Sequence, residues 1–81
     1  MIYELKPQFE SVKSYYRKAT VAIEGNKKTL ISYDTKVCTI EGNNVKIDGF
    51  YSATTLRHIK EFLKQEGFKA TTKNQLYNDY M

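Results

Sequence analysis

Four short runs rich in β-branched residues, at 19–23, 29–33, 37–40 and 45–47, are separated by turn residues and followed by one helical stripe. Runs of that length and composition form strands, and connections this short join only antiparallel neighbours. The pattern predicts an α+β fold: an antiparallel meander of about four strands packed on one main helix at 53–66, with short N- and C-terminal flanking segments. A chain of 81 residues has room for one modest core, so 1–81 is expected to be a single small α+β domain.

Turn chemistry constrains the register. Gly42-Asn43-Asn44 is the strongest turn signal. A two-residue loop at Gly42-Asn43 pairs Cys38 with Ile47 and Ile40 with Val45. A two-residue loop at Asp34-Thr35 pairs Ile31 with Cys38. A three-residue loop, Gly25-Asn26-Lys27, then pairs Val21 with Ile31. A slip of one residue would turn every side chain of a strand to the opposite face. The expected core face is Val21, Ile23, Ile31, Cys38, Ile40, Val45 and Ile47. Burial of each large aliphatic side chain on such a face contributes roughly 1.5–3 kcal/mol.

The helix supplies the cover. Leu56, Ile59, Phe62 and Leu63 fall on one stripe. Ser52 suits the N-cap, because its hydroxyl can accept an otherwise unpaired first-turn N–H, and Gly67 suits the C-terminal stop. Arg57 and Glu61 stand four apart and are expected to pair on the solvent side. The flanks are less determinate. Ile2 and Leu5 suggest a short edge strand interrupted by Pro7. Phe9, Val12 and Tyr16 have helical spacing, while Ser14, Tyr15 and Tyr16 could equally begin the next strand. Near the C-terminus, Thr71 or Thr72 is placed to cap a last turn over 74–80.

Composition excludes several functions. The single cysteine, Cys38, forbids an internal disulfide and argues against a Cys-based zinc site; it reads as a small buried apolar side chain. The first residues are mixed and polar, and no apolar run approaches the roughly 20 residues of a membrane span. A soluble protein in the cytoplasm, with no membrane partner, is therefore expected. No Ser-His-Asp order, paired carboxylates, metal-ligand spacing or Gly-rich phosphate loop is present. No catalytic residue, metal or cofactor is assigned, and an enzyme is not expected.

The candidate site residues are those that suit binding. The formal net charge is +4, from 13 basic and 9 acidic residues, and the excess lies at the two ends of the chain rather than in the strand-rich middle. That sign permits contact with nucleic acid and counts against an acidic mimic of DNA. Thr54 and Thr55, beside Ser52, place hydroxyls at a helix N-terminus, where unpaired N–H groups favour an anion. Arg57 and His58 follow within a turn. His58, the only histidine, suits a phosphate contact or a general base; its structural alternative is a half-buried residue at the edge of the stripe. Arg57, Lys60 and Lys64 line the outer side of the helix. Tyr15, Tyr16, Arg17 and Lys18, with Lys13, mix aromatic faces with cations, a combination that suits nucleic-acid backbones and bases. Of the seven tyrosines, Tyr33 and Tyr51 are expected to finish the margin of a thin core. Tyr15, Tyr16, Tyr77 and Tyr80 are the interface candidates.

The run Tyr51-Ser52-Ala53-Thr54-Thr55-Leu56-Arg57-His58-Ile59-Lys60-Glu61-Phe62-Leu63 resembles the signature of an uncharacterised family of small proteins. These are encoded by phages and plasmids of Gram-positive bacteria. Leu5-Lys6-Pro7, Ser14-Tyr15-Tyr16-Arg17-Lys18-Ala19 and the stretch from Lys28 to Val37 are similar as well, so the resemblance covers roughly 3–68. It implies a mobile-element accessory gene and carries no activity with it. Joined to small size and many tyrosines, it leads to an expected function: a non-enzymatic binding protein that inhibits or modulates a host protein or protein–nucleic acid complex, as anti-CRISPRs do. The alternative is an accessory protein that binds nucleic acid directly through the basic helix face. Self-association is a third expectation, since a domain this small gains stability from a partner.

Overall fold

The runs at 19–47 form the expected meander, and a short strand at the N-terminus extends it. The computed structural model describes all 81 residues. Strands β1 (Ile2–Glu4), β2 (Ala19–Glu24), β3 (Lys27–Ser32), β4 (Thr35–Glu41) and β5 (Asn44–Ile47) lie in the order β1-β2-β3-β4-β5. Every neighbouring pair is antiparallel. Helix α1 (Ala53–Gln65) and helix α2 (Lys73–Tyr80) follow.

The β4–β5 pairing is the one that Gly42-Asn43 predicts: Cys38 faces Ile47 and Ile40 faces Val45. The other two hairpins differ from expectation. The β3–β4 turn is Tyr33-Asp34, not Asp34-Thr35, with Ser32 opposite Thr35. Both turn residues have left-handed backbones, at φ 50° and 67°. That conformation matches the right-handed twist of the flanking strands. The β2–β3 loop is the two-residue Gly25-Asn26, since Glu24 faces Lys27. Val21 therefore pairs with Leu30, and Leu30 takes the core place expected for Ile31. A bulge beside Leu30 and Ile31 restores the phase: Leu30 faces Cys38 while Ile31 faces Lys36. The extra residue, Val37, is buried along with Cys38. A bulge of this kind lets two successive residues of one strand face the core. Val21, Cys38, Ile40 and Ile47 are buried as expected, and Ile23 and Val45 are half-buried at the sheet's far margin.

Helix α1 starts and stops on the residues its sequence supplies. The Ser52 hydroxyl accepts the Thr55 N–H at 3.1 Å. At the other end Gly67, at φ +86°, reverses the chain. Phe68 N–H then donates to the Leu63 carbonyl at 2.9 Å, and Gly67 N–H to that of Lys64 at 3.1 Å. This paired closure satisfies the last free carbonyls of the helix. Ile59, Phe62 and Leu63 are wholly buried against Leu5, Val21, Leu30, Val37 and Cys38. Lys28, on the core side of β3, ties the end of the helix to the sheet through an ion pair with Glu66 at 2.6 Å. Helix α2 is capped by Thr72, whose hydroxyl accepts the Gln75 N–H, and buries Leu76. Cys38 is free and buried; burial, with the Asp48 charge behind it, pushes its thiol up to about 12. No helix is long and apolar enough to cross a membrane.

The segment 8–16 is neither helix nor strand. Phe9, Val12 and Tyr16 are all exposed, so their spacing does not define a packed stripe. The segment instead passes along the flank of α1, and the Gln8, Phe9 and Glu10 N–H groups bond a side chain of that helix.

Candidate functional site

Two neighbouring turns and the first half of α1 enclose a cleft of about 220 Å³. The first turn is Tyr16-Arg17, closed by the Lys18 N–H on the Tyr15 carbonyl at 3.0 Å. The second is Tyr33-Asp34. A hydrogen bond from Tyr33 N–H to the Lys18 carbonyl, 2.9 Å, holds the turns side by side. All four turn residues have positive φ, a conformation that bulky side chains seldom adopt and that costs of order 1–3 kcal/mol. Its consequence here is that two tyrosines occupy the leading turn positions, where Asn or Gly would be favoured. Both reach the cleft. Tyr16 is 77% exposed and Tyr33 46%. Lys18 stands over the Tyr33 ring, with Nζ 5.5 Å from its centroid.

His58 forms the floor. Only 1% of its surface is exposed, so it is neither the solvent-side residue of one expectation nor the half-buried edge residue of the other. Its ring meets Tyr15 edge-on at 4.5 Å and lies nearly parallel to Tyr33 at 5.9 Å. Nδ1 is 2.9 Å from Ser32 Oγ, which is 3.0 Å from Thr55 Oγ1, which accepts from Ser52 Oγ at 3.2 Å. One direction of donors satisfies the whole chain: Ser52 to Thr55, Thr55 to Ser32, Ser32 to His58 Nδ1. The proton of the neutral imidazole then sits on Nε2, which has no partner in the protein. Burial lowers the His58 pKa, the Glu10 charge raises it and the Arg57 charge lowers it further, so the ring is neutral near pH 7. Ser32 is 1% exposed and lies beneath the imidazole. Its contact with His58 is a hydrogen bond inside the core rather than an accessible nucleophile with its base.

Glu10 buttresses the cleft. Its carboxylate accepts from Tyr15 Oη at 2.5 Å and from Arg57 Nε. Burial pushes the Glu10 carboxyl up, but these two hydrogen bonds together with the neighbouring Arg57 charge outweigh it and hold the pKa below the ordinary range. Burial, reinforced by the Glu10 charge, pushes the Tyr15 hydroxyl up.

Six of the sequence candidates thus meet around the cleft: Tyr15, Tyr16, Lys18, Thr54, Arg57 and His58. The others lie elsewhere. Thr55 is buried, its hydroxyl spent on Ser32, and Ser52 is spent on the cap. The three-hydroxyl anion site expected at the helix N-terminus is therefore not assembled. Arg17 points to the other side of its turn, beside Thr20 and Ile31. Lys60 and Lys64 line a separate depression with Phe9 and Glu10. Tyr15, expected at an interface, is buried, whereas Tyr33 and Tyr51, expected at the core margin, are exposed. Of the three cleft residues that sequence reasoning missed, Val12, Ser14 and Tyr33, Tyr33 is the aromatic one. Its place in a turn tip followed from the register, and the register was one residue off.

Glu61 was missed as well. The expected Arg57–Glu61 pair is absent; Arg57 pairs with Glu10. Glu61 is 2% exposed although it projects about 170° from the centre of the apolar stripe at 3.6 residues per turn. The segment 8–10 covers it. Gln8, Phe9 and Glu10 donate their backbone N–H groups to its two oxygens at 3.0–3.2 Å, and Gln65 Nε2 donates at 2.6 Å. Successive N–H groups turned inward make a nest for an anion, and Glu61 fills it. No three of the His, Cys, Asp and Glu residues gather as a set able to hold a metal ion.

A model of a family of unknown function (DUF8033) matches residues 3–78. No curated protein and no solved structure matches the chain.

Proposed function

We propose that this chain, which belongs to that family of unknown function, is a non-enzymatic binding protein of a mobile genetic element. It acts in the cytoplasm of a Gram-positive host by inhibiting or modulating a host protein or protein–nucleic acid complex. The phage or plasmid origin is inferred from the signature at Tyr51–Leu63. The observation that carries the binding role is the pair of exposed tyrosines, Tyr16 and Tyr33, held on adjacent strained turns at the rim of a cleft. Tyrosine gives contact area at low entropic cost and is enriched where interfaces concentrate their energy. The two-residue hairpin itself demands the left-handed form at Tyr33-Asp34, whereas Tyr16-Arg17 belongs to no hairpin of the sheet, and strain kept there supports a role at the surface.

Affinity purification of the tagged protein from a Gram-positive host tests this, with nuclease-treated and untreated arms. A host protein retained after nuclease, and lost with Tyr16→Ala plus Tyr33→Asn, supports the reading. Recovery of no host partner, with no change in phage or plasmid success on deletion of the gene, refutes it.

The second reading, direct nucleic-acid binding, draws on the charge distribution. The only ion pairs are Lys28–Glu66 and Arg57–Glu10, so Lys18, Lys60 and Lys64 keep their charges free for phosphates. Affinity that falls steeply with salt and is lost in Arg57→Ala plus Lys60→Ala favours this reading. Self-association, the remaining reading, is decided by sedimentation across a concentration series.

A further inference from the structure

We propose that the cleft is a binding site for a nucleotide unit, with the base against the tyrosine rings and the phosphate on Lys18 and Arg57. The site goes beyond the protein-partner reading and does not depend on it. Its size sets the first limit. At about 220 Å³ the cleft is smaller than pockets that enclose a drug-sized molecule, which start near 300 Å³. It can take one flat ring system and leave a sugar and phosphate at the mouth. It cannot take a helix or a duplex.

The lining sets the second limit. Tyr15, Tyr16 and Tyr33 give aromatic walls, and every base has a face that stacks on such rings. Lys18 Nζ lies over the Tyr33 ring; a base that stacks on Tyr33 displaces it from that face and leaves the cation beside its phosphate. Arg57, also at the cleft, is only partly occupied by Glu10: its Nε carries that bond, which leaves its terminal N–H groups free.

The floor sets the third limit. His58 is almost wholly buried, Ser32 occupies its Nδ1, and its Nε2 has no partner in the protein. No polar side-chain atom sealed from solvent lacks a hydrogen bond anywhere in the chain, so Nε2 is the part of the ring that opens to the cleft. In the neutral tautomer it donates, which suits an acceptor on a base edge. These features discriminate among ligands. Inorganic phosphate would leave the aromatic walls unused. An aliphatic side chain would leave Nε2 facing a group that cannot bond it. A base with its phosphate uses all three.

The test is a titration of the ¹⁵N-labelled protein followed by NMR, with four probes: the 5′-monophosphates of adenosine and uridine, a short single-stranded oligonucleotide, and inorganic phosphate. The expected result is saturable movement of the His58 ring signals and of the Tyr16, Lys18 and Tyr33 amides with the nucleotides. Tyr33→Asn removes the ring while keeping a residue that tolerates the left-handed turn, so the fold survives. It lowers nucleotide affinity about tenfold, within the range of loss of one stacking contact. Tyr33→Phe keeps the affinity. An oligonucleotide that binds tighter than the monophosphates identifies a strand as the source, and equal affinities identify a free nucleotide; either supports the site. No movement up to about 10 mM, weaker than any specific use requires, overturns it. So does inorganic phosphate moving the same signals with equal affinity, or binding unaffected by Tyr33→Asn. A host protein recovered by pull-down alongside a negative titration leaves the protein-partner reading standing and removes the nucleotide site alone.

Discussion

Helix α1 buries three polar residues, Thr55, His58 and Glu61, and the last two are treated differently. Glu61 is a filled site. Its two oxygens accept three backbone N–H groups and one amide, all from this chain. His58 is half filled. Ser32 satisfies one ring nitrogen, and the other opens on a cleft rimmed by tyrosines and cations. A buried group whose bonding capacity is met by its own chain holds the structure together. A buried group with one atom left over is available to something else. The lesson is local: position on a helix does not separate a polar residue filled by its own chain from one left open, whereas a count of each atom's partners does.

The largest effect that separates the two should come from Glu61→Ala. It leaves three N–H groups without their acceptor and detaches the segment 8–10 from α1. A loss of about 3 kcal/mol is expected by urea unfolding, in the range for breaking a buried charged network. Faster hydrogen exchange at the Gln8, Phe9 and Glu10 amides should accompany it. A loss below about 1 kcal/mol would mean that the nest is not a structural pin. Ser32→Ala should cost less, about 1–2 kcal/mol, because it strips the partner from His58 Nδ1 and from Thr55. If the hydroxyl chain holds the imidazole in place, the His58 ring resonances should broaden in that variant.

The pH dependence sharpens the same contrast. His58 has a folded pKa below its ordinary value of 6.5, so below that value the unfolded chain binds the proton more readily than the folded one. Its contribution to stability is complete above pH 6.5 and is lost as pH falls through the lowered folded value. The groups that face it are the Tyr15 and Tyr33 rings and the Glu10 and Arg57 charges. Urea midpoints measured from pH 7.5 downward should show this decline, and His58→Gln should flatten it. The smallest effect is expected from Arg57→Ala. The Arg57 side chain is 52% exposed, and Glu10 keeps its bond from Tyr15, so stability should change by less than about 1 kcal/mol. The Glu10 carboxyl should then titrate at higher pH, visible in a ¹³C-detected titration.

The parts of the fold legible in the sequence rest on short-range chemistry. The Ser52 cap, the Gly67 stop and the Gly42-Asn43 hairpin each need only a few adjacent residues, and each formed where expected. The register of β3 was not legible, because it rests on a bulge. The bulge shifts the phase between Leu30 and Ile31, and no local residue pattern announces it. With the register went Tyr33, placed in the core margin when it stands at the cleft rim. Thr54, Arg57 and His58 were legible as candidates from their place on α1, and Tyr15, Tyr16 and Lys18 from their mixture of rings and charge. That these two groups meet was not.

By itself, then, the sequence determined that a meander of short strands would be covered by a capped helix, because strand length, turn residues and the apolar stripe act within a few residues of one another. Only the tertiary structure decided which polar residues of α1 are sealed and which open outward. That depends on the segment 8–16 crossing the helix some fifty residues away in sequence, where its backbone N–H groups find Glu61. A side chain's burial is set by what crosses over it. For Glu61 and His58 that covering segment lies far off along the chain, and no periodicity of the helix encodes its path.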